Sequence, residues 1–398
     1  MNSHSPSRRP GIFGHPVLTA TIVLAALVGA GAGSVAGAQR DSATAAPVWH
    51  APDKAAVSAT SAAAREKPVT DKPATGGTIT LSATGDIMMS KAPVRMPPRD
   101  GAGFFDAVRA DLKSDLVMGN LEQPLTDDTG TTKCGPTSGP NCFAYRSPPS
   151  YARHLVEGGF DLVNTANNHA KDFGVAGYRN TRAALDAAGV RYTGAQDEIT
   201  VVTVNGIKVA VVGFSPYAGA NNMLDLDHTR QVIGQAAARA DLVVVQVHMG
   251  AEGPTMQHVK PGNETFYGEN RGDPITFSHT AIDAGADLVV GHSPHVLRAM
   301  EFYRGRLIAY SLGNFAGGGN TLSNLGVLKY GGILRVTLAA DGSYQGGSFR
   351  STYLNGMGLP IRDTATERGR ALVAELTAAD FPQTGAKIAD DGSITPSA

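Results

Sequence analysis

The sequence has no excess of charge of either sign. Its 398 residues include 34 lysines and arginines against 35 aspartates and glutamates, and the formal net charge at pH 7 is -1. A balanced chain exerts no broad electrostatic attraction on nucleic acid or on an acidic membrane surface. Nucleic acid is therefore excluded as an expected partner.

Cysteine is scarce, since the chain contains two. Cys134 and Cys142 flank the loop sequence GPTSGPN, and no histidine stands near them to complete a thiolate metal site. Two cysteines this close in an exported chain favour a local disulfide. The alternative is a pair of free thiols, which an oxidising compartment disfavours.

Charge is also absent from Val17 to Ala38, a run rich in alanine, valine, leucine and glycine. Arg8 and Arg9 precede the run, and residues 36–38 read AGA, a form that signal peptidase accepts. The run is long enough to cross a bilayer. Residues 1–38 are predicted to be a signal peptide or an amino-terminal membrane anchor, and either one places the body of the protein outside the cytoplasm.

The rest of the chain divides by composition. Residues 39–77 are rich in alanine, proline, serine and threonine and predict a disordered linker. Residues 78–361 alternate apolar strands with helical patterns, and hairpins are expected at Asn205-Gly206 and Asp341-Gly342. This indicates an α/β domain with a mixed sheet or two sheets between helices. Residues 362–398 predict a helix and a frayed polar tail.

Several predicted strands end in short polar clusters. The clusters share carboxylates, side-chain amides and imidazoles, and they contain Asp86, Asn120, Glu122, Asn167, Asn168, His169, Asp172, His248, Glu252, His292 and His295. Ligands of α/β sheets collect beyond the carboxyl ends of the strands. This mixture of donors suits Mn, Fe or Zn, and it is large enough for two ions with a bridging carboxylate.

Each of these residues also has an ordinary structural explanation. An aspartate after a strand often forms a turn or caps a helix. His248 alone could be a polar residue whose hydrogen bonds are satisfied within the fold. The sequence GHSPH is more specific, because His292 and His295 leave one tight turn. The conjunction of several clusters favours the metal site over separate explanations.

The motifs GDIMMS, GNLEQPLT, ANNHAKDFG, VHMGAEG and GADLVVGHSPHVLRAMEFYRGRLIAYSLGNF resemble those of the CapA-type capsule synthesis proteins. That family is associated with poly-γ-glutamate capsules and belongs to the calcineurin-like metallophosphatase superfamily. The resemblance covers roughly residues 78–320. It implies a metallophosphatase-like four-layer α/β/β/α sandwich with a two-metal site, and an anchored, extracytoplasmic body.

By position, the resemblance implies a set of metal ligands: Asp86, Glu122, Asn168, His248, His292 and His295. Glu122 stands where a bridging aspartate is usual. Met88 stands where the superfamily usually has a histidine, which implies a looser first metal. His169 matches the catalytic histidine.

The resemblance also implies metal-assisted hydrolysis, in which His169 stabilises the transition state or protonates the leaving oxygen. Asp172 could orient His169 or cap the helix that begins near Gly174, and both alternatives stay open. Glu252 could support the site or be a solvated loop carboxylate. Asn314 could reach the site or only pack the strand end.

Two functions remain open at this point. The first is an exported metal-dependent, phosphoesterase-type hydrolase that acts on a phosphoester, or alternatively on an amide, in the cell envelope and serves the synthesis of a capsule or envelope polymer. The second is a non-catalytic, membrane-tethered assembly or export factor for an anionic capsule polymer, acting with capsule synthase components. The filled ligand positions favour hydrolysis, whereas Met88 and the predicted tether favour assembly.

Overall fold

The structure is a computed structural model that describes residues 76–135, 137–139 and 141–397. The predicted signal or anchor segment, residues 1–38, and nearly all of the predicted linker lie outside the described residues. Within the part of the chain that the structure describes, every helix is too short or too polar to span a bilayer.

The strands of the described residues are, in chain order, β1 (Thr78–Met88), β2 (Leu116–Leu121), β3 (Leu162–Asn164), β4 (Arg191–Thr193), β5 (Thr200–Val204), β6 (Ile207–Ser215), β7 (Asn221–Asn222), β8 (Leu242–His248), β9 (Thr265–Phe266), β10 (Glu269–Asn270), β11 (Leu288–His292), β12 (Met300–Tyr303), β13 (Arg306–Ala309), β14 (Asn314–Gly317), β15 (Tyr330–Ala339), β16 (Tyr344–Leu354), β17 (Pro360–Arg362), β18 (Lys387–Ile388) and β19 (Ser393–Thr395). The α-helices are α1 (Arg109–Leu112), α2 (Ala152–Gly158), α3 (Gly174–Ala188), α4 (Leu226–Ala237), α5 (Pro274–Asp283) and α6 (Arg368–Asp380). Short 3₁₀ helices cover Pro98–Gly101, Pro149–Tyr151, Gly318–Asn320 and Gly326–Lys329.

Two large sheets contain most of these strands. The first sheet has ten strands in the order β18-β19-β16-β15-β1-β2-β3-β4, with β14 beside β1 and β17 beside β16. The second has seven strands in the order β12-β13-β11-β8-β6-β5, with β7 beside β6. Strands β1, β2, β3 and β4 are parallel, and so are β6, β8, β11 and β13. The carboxyl ends of neighbouring strands therefore meet at one edge of each sheet.

The central strands are buried on both faces, as parallel strands between layers usually are. On the first sheet, Leu81 and Met118 pack in one cluster with Val245 of the second sheet. Val117, next to Met118 in β2, packs instead on the opposite face of the sheet, together with Leu121 of the same strand. Successive side chains of a strand point to opposite faces of the sheet, so each central strand has apolar side chains on both faces.

Helices cover the outer faces of the two sheets. Helices α1, α2 and α3 bury Leu112, Leu155 and Leu185 in the cluster on the outer face of the first sheet. Helices α4 and α5 contact β6, β8 and β11 of the second sheet. Helix α6 contacts β12, β15 and β16. The layers follow the order α/β/β/α, which confirms the predicted four-layer sandwich.

Several local predictions are confirmed. Strands β5 and β6 form the hairpin at Asn205-Gly206, and β15 and β16 form the hairpin around Asp341-Gly342. Helix α3 ends at Gly189, which has a φ of 74° and caps the helix through its backbone N–H.

The prediction of a frayed tail is wrong. Strands β18 and β19 pair with each other, and β19 pairs with β16. Ile394 is fully buried in the core cluster that contains Phe349. A single apolar residue between polar neighbours is enough to attach the tail, but it produces no periodic pattern in the sequence.

We predict that Leu81→Ala lowers the free energy of unfolding by about 2–5 kcal/mol, because the truncation leaves a cavity between the two sheets. The measurement is denaturant unfolding followed by circular dichroism. Leu325→Ala is the matched control, since Leu325 is 73% exposed while Leu81 is 1% exposed. The control is expected to change stability by less than about 0.5 kcal/mol. Equal effects of the two changes would contradict this account of the core.

Candidate metal centre

Asp86 lies near the end of β1 and is held by a chain of side-chain amides. The Nδ2 atom of Asn120 donates to Asp86 Oδ1 at 2.8 Å. The Oδ1 atom of Asn120 accepts in turn from Asn164 Nδ2 at 3.0 Å and from Asn167 Nδ2 at 3.1 Å. All four residues are buried. The ends of β1, β2 and β3 therefore fix the position of one carboxylate.

The second sheet brings three imidazoles to this carboxylate and to Glu122. His248 and His292 end the neighbouring strands β8 and β11 and stand opposite each other in register. His248 Nε2 lies 3.8 Å from Glu122 Oε1, and His292 Nδ1 lies 3.9 Å from Asp86 Oδ1. These separations are too long for hydrogen bonds. His295 is closer, with Nδ1 3.1 Å from Asp86 Oδ2 and Nε2 3.6 Å from Glu122 Oε1.

The turn after β11 has an unfavourable backbone conformation that aims His295 at the centre. Ser293 has a φ of 101° and His295 a φ of 57°, a region that residues other than glycine rarely adopt. The hydroxyl of Ser293 donates to the carbonyl of Gly250 at 3.1 Å. Asn314 Oδ1 lies 2.9 Å from His295 Nδ1. Of the two alternatives for Asn314, contact with the site is therefore the correct one.

Many polar atoms of the centre are buried without a hydrogen-bond partner. They are both carboxylate oxygens of Glu122, both ring nitrogens of His248, Nδ1 of His292 and Oδ1 of Asn168. Ligand atoms of Asp86, Glu122 and His248 all lie within 4.8 Å of one another. A buried polar atom without a partner costs about 1–3 kcal/mol. Divalent cations would satisfy these atoms, so the residues present fit a metal site.

The electrostatics of the imidazoles agree with this fit. Burial lowers the pKa of His248 well below its usual value, and the charge of Arg271 adds to the effect. Burial likewise lowers the pKa of His292 to about 4, although Asp86 opposes it. Both rings are thus neutral at pH 7, which is the form that binds metal ions. His292 is also oriented by Gln246, whose Oε1 lies 3.3 Å from His292 Nε2.

The buried carboxylates of Asp86 and Glu122 repel each other when both are ionised, and a bound cation would offset this repulsion. Burial raises the pKa of Glu122 well above its usual value, and the charge of Asp86 raises it further. Burial also opposes ionisation of Asp86, but the hydrogen bond and charge of His295 outweigh it and lower the pKa of that carboxyl. Burial opposes the charged form of His295, yet Glu122 and Asp86 raise its pKa to about 10. His295 must release this proton to act as a ligand.

His169 lies at the opening of the centre and is oriented by Asp172. Its Nδ1 donates to Asp172 Oδ2 at 2.7 Å, and Asp172 is completely buried. Helix α3 begins after Phe173 and has no side-chain cap. Asp172 therefore orients His169, and the alternative of a helix cap is wrong. Burial lowers the pKa of His169, and Asp172 opposes this shift.

Glu252 links the remaining predicted ligand to the centre. Asn168 Nδ2 donates to Glu252 Oε1 at 3.4 Å, and Glu252 Oε2 lies 3.7 Å from His295 Nε2. Asn168 and His169 also line a cleft beside the centre. Glu252 supports the site, because it contacts two of the predicted ligands.

Two basic residues of the site were missed by sequence reasoning. Arg271 is 3% exposed, and its guanidinium lies 2.9 Å from Glu252 Oε1 and 3.1 Å from Glu269 Oε2. Lys133 Nζ lies 2.6 Å from Asp172 Oδ1. Arg271 stands in an irregular loop without any motif, so nothing local marked it. The position of Lys133 beside Cys134 was the one available signal.

A cleft of about 710 Å³ opens beside the centre. Its lining combines polar groups from Lys133, Asn168, His169, Glu252 and Arg271 with aromatic rings such as Tyr217 and Phe266. Part of its wall is the loop between Cys134 and Cys142, which form the predicted disulfide with an S–S distance of 2.05 Å. The cleft gives a small molecule or a polymer end access to His169.

Comparison with known proteins adds independent information. Residues 80–318 match the sequence model of the family described as bacterial capsule synthesis protein PGA_cap. The chain is 32% identical over 257 residues to "PGA biosynthesis protein CapA" of Bacillus subtilis, covering 60% of this chain and 63% of that protein. It is 32% identical over 261 residues to "Capsule biosynthesis protein CapA" of Bacillus anthracis, covering 60% and 59%. The chain thus spans about three fifths of these relatives' length.

A search of solved structures finds a protein assigned as a 5′-nucleotidase from Staphylococcus aureus. It is 12% identical, covers 75% of this chain and 58% of that chain, and has a TM-score of 0.41. The fold assignment accordingly rests on the sheet topology described above.

We predict that His248→Ala weakens Mn²⁺ binding by more than about 10-fold, because it removes a buried imidazole aimed at Glu122. The full chain would be dialysed against Mn²⁺ and its metal content measured by mass spectrometry. His258→Ala is the control, since His258 is exposed and contacts Asp380 instead. Unchanged binding in His248→Ala, or no binding by the unaltered chain, would refute the metal site.

Proposed function

The chain belongs to the family of bacterial capsule synthesis proteins PGA_cap, and from that premise we propose that it is a metal-dependent phosphoesterase-type hydrolase of capsule synthesis. The substrate would be a phosphoester of the cell envelope or, as the alternative, an amide bond of a polymer such as poly-γ-glutamate. The names of the Bacillus relatives, which refer to PGA and capsule biosynthesis, support this context.

The observation that carries the proposal is the buried donor set without protein partners. Two carboxylates and three imidazoles from two different sheets meet where Glu122 and His248 have unpaired atoms. Asp86 and His295 would hold one divalent ion, Asn168, His248 and His292 would hold another, and Glu122 would contribute its carboxylate to this donor set. Mn, Fe and Zn are the ions that this mixture of donors favours.

When bound, such ions would supply Lewis acidity toward a phosphoryl oxygen and lower the pKa of a water molecule. The chain's own residues supply the proton transfer. His169 faces the cleft, and its Nδ1 is occupied by Asp172 at 2.7 Å. Its Nε2 is thereby directed away from Asp172, and in the imidazolium, which carries protons on both ring nitrogens, this Nε2 can give its proton to the leaving oxygen. Asp172 stabilises the imidazolium that donates this proton.

The segment that contains Arg271 also lines the cleft, through Phe266, Glu269 and Arg271. The guanidinium of Arg271 lies over the rings of Tyr217 and Phe266, 5.4 Å and 5.3 Å from their centroids. Its ion pair keeps Glu252 beside Asn168 and His295. We propose that this arrangement keeps the polar floor of the cleft in place while substrate enters.

We also propose that the protein acts outside the cytoplasm and is anchored by its amino-terminal segment or secreted after cleavage near Ala38. The charge-free run from Val17 to Ala38 behind Arg8 and Arg9 supports this placement. The disulfide supports it as well, because such bonds persist in oxidising compartments. Capsule synthase components and the membrane would be its partners there.

One observation favours the second candidate, a non-catalytic assembly or export factor. Met88 stands where the superfamily usually has a histidine, and its side chain is buried with Leu322 and Leu354. The first ion would then have one ligand fewer than in that superfamily. A weakly held first ion would favour binding of an anionic polymer over its hydrolysis.

We predict that His169→Ala lowers kcat for an aryl phosphate by about 10²–10⁴, the usual contribution of a general acid. The Mn²⁺ content should stay unchanged, because His169 is not assigned as a ligand. The measurement is steady-state turnover by the full chain with added Mn²⁺, with metal content determined on the same samples.

His258→Ala serves as the control and should keep full turnover, since His258 is exposed and is not among the residues that line the cleft. Full turnover by His169→Ala would remove His169 from the mechanism. Metal binding without any turnover with Mn²⁺, Fe²⁺ or Zn²⁺ would favour the assembly factor.

A further inference from the structure

We infer that the loop closed by the Cys134–Cys142 disulfide is a positioning element for His169. Lys133 and Tyr145 stand on either side of the disulfide-closed loop and are called its flanks. Both contact the carboxylate of Asp172, which orients the imidazole of His169. The consequence for turnover rests on the proposed function, whereas the geometric part stands on the contacts alone.

The first step is that both flanks contact Asp172. The backbone N–H of Lys133 donates to the carbonyl of Asp172 at 2.8 Å, and Lys133 Nζ lies 2.6 Å from Asp172 Oδ1. From the other flank, the backbone N–H of Tyr145 donates to Asp172 Oδ2 at 2.7 Å. Asp172 is completely buried, so these contacts replace the water that its carboxylate has lost.

The second step is the contact of the same flanks with His169. Lys133 Nζ also lies 3.0 Å from the carbonyl oxygen of Asn168 and 3.3 Å from His169 Nδ1. The ring of Tyr145 meets the imidazole edge-on, with centroids 4.9 Å apart. The imidazole is thus enclosed by Asp172 and by both flanks of the disulfide loop.

The third step is what holds the flanks together. Between residues 127 and 145 the described residues form no helix or strand, and most of them are exposed. The disulfide brings the Cα atoms of Cys134 and Cys142 to 5.7 Å, one residue from Lys133 and three residues from Tyr145. In a segment without strand pairing, a covalent link removes much of the freedom of the chain ends that it joins.

The donor cluster around Asp86 does not depend on this loop, although Asn168, the assigned ligand beside His169, contacts Lys133. Asp86, His248 and His292 lie in strands of the two sheets. Loss of the disulfide is therefore expected to release Asp172 and His169 while the donor cluster stays in place. Both cysteines are partly exposed, so the link is accessible to a reductant.

The test compares the full chain with Cys134→Ser/Cys142→Ser and with Lys133→Met. Both variants should lower kcat for an aryl phosphate by about 10- to 100-fold, the range for groups that orient an active-site residue. Mn²⁺ content should stay near that of the unaltered chain, and kcat should fall by a larger factor than KM changes, because Lys133 also lines the cleft. Lys171→Met is the matched control, because Lys171 Nζ donates to the carbonyl of Ala218 and should leave kcat unchanged.

A further comparison separates positioning from general stability. In a His169→Ala background, the double serine change should cause no additional loss of the residual turnover. An equal additional loss would overturn the inference, as would unchanged turnover in both variants. Lys133→Met keeps the test valid if the serine variant does not fold.

The inference has a readout that does not need activity. Long-range ¹H–¹⁵N spectra of the imidazoles should show a protonated Nδ1 on His169, identified by its loss in His169→Ala. The double serine variant or Lys133→Met should show a mixed protonation pattern. An unchanged pattern in both would overturn the inference. If the unaltered chain shows no turnover, the proposed function fails, and the spectra alone decide the inference.

Discussion

The burial of Glu122 beside Asp86, with neither oxygen of Glu122 hydrogen-bonded, is the constraint on which the site depends. Two carboxylates in a dry environment repel each other and oppose their own ionisation. The fold tolerates the pair because neutral imidazoles of His248 and His292 face it and because His295 carries compensating charge. This balance is typical of a site that is completed by cations.

Two kinds of support surround this cluster, and they differ in rigidity. Asp86, His248 and His292 lie in strands, and the amide chain through Asn120 adds side-chain contacts to Asp86. The other predicted ligands, Glu122, Asn168 and His295, lie in the loops that follow strands. His169 and Arg271 lie in loops and depend on ion pairs with Asp172 and Glu252. The candidate metal centre therefore draws on both strands and loops, whereas the proposed proton transfer depends on loops alone.

Much of the fold could be predicted from the sequence, because its signals are local. The Asn205-Gly206 hairpin needs two residues with the right backbone preferences, and Gly189 ends a helix through its own conformation. The tail around Ile394 could not be predicted, since one buried residue leaves no periodic pattern. For the site, the sequence left Asp172 two possible roles, as a helix cap or as the partner of His169. The structure decided between them, because helix α3 has no side-chain cap and Asp172 contacts His169.

The sequence by itself determined the types of donor and their places after strands, because hydrophobic periodicity ends where the polar clusters begin. It also determined the short spacing of the two cysteines, which made a local disulfide the simplest pairing. The tertiary structure alone decided that Arg271 and Lys133 belong to the site and that Asn314 contacts His295. Those contacts join residues far apart in the chain, and their partners are selected by how the two sheets and their loops pack rather than by any local pattern.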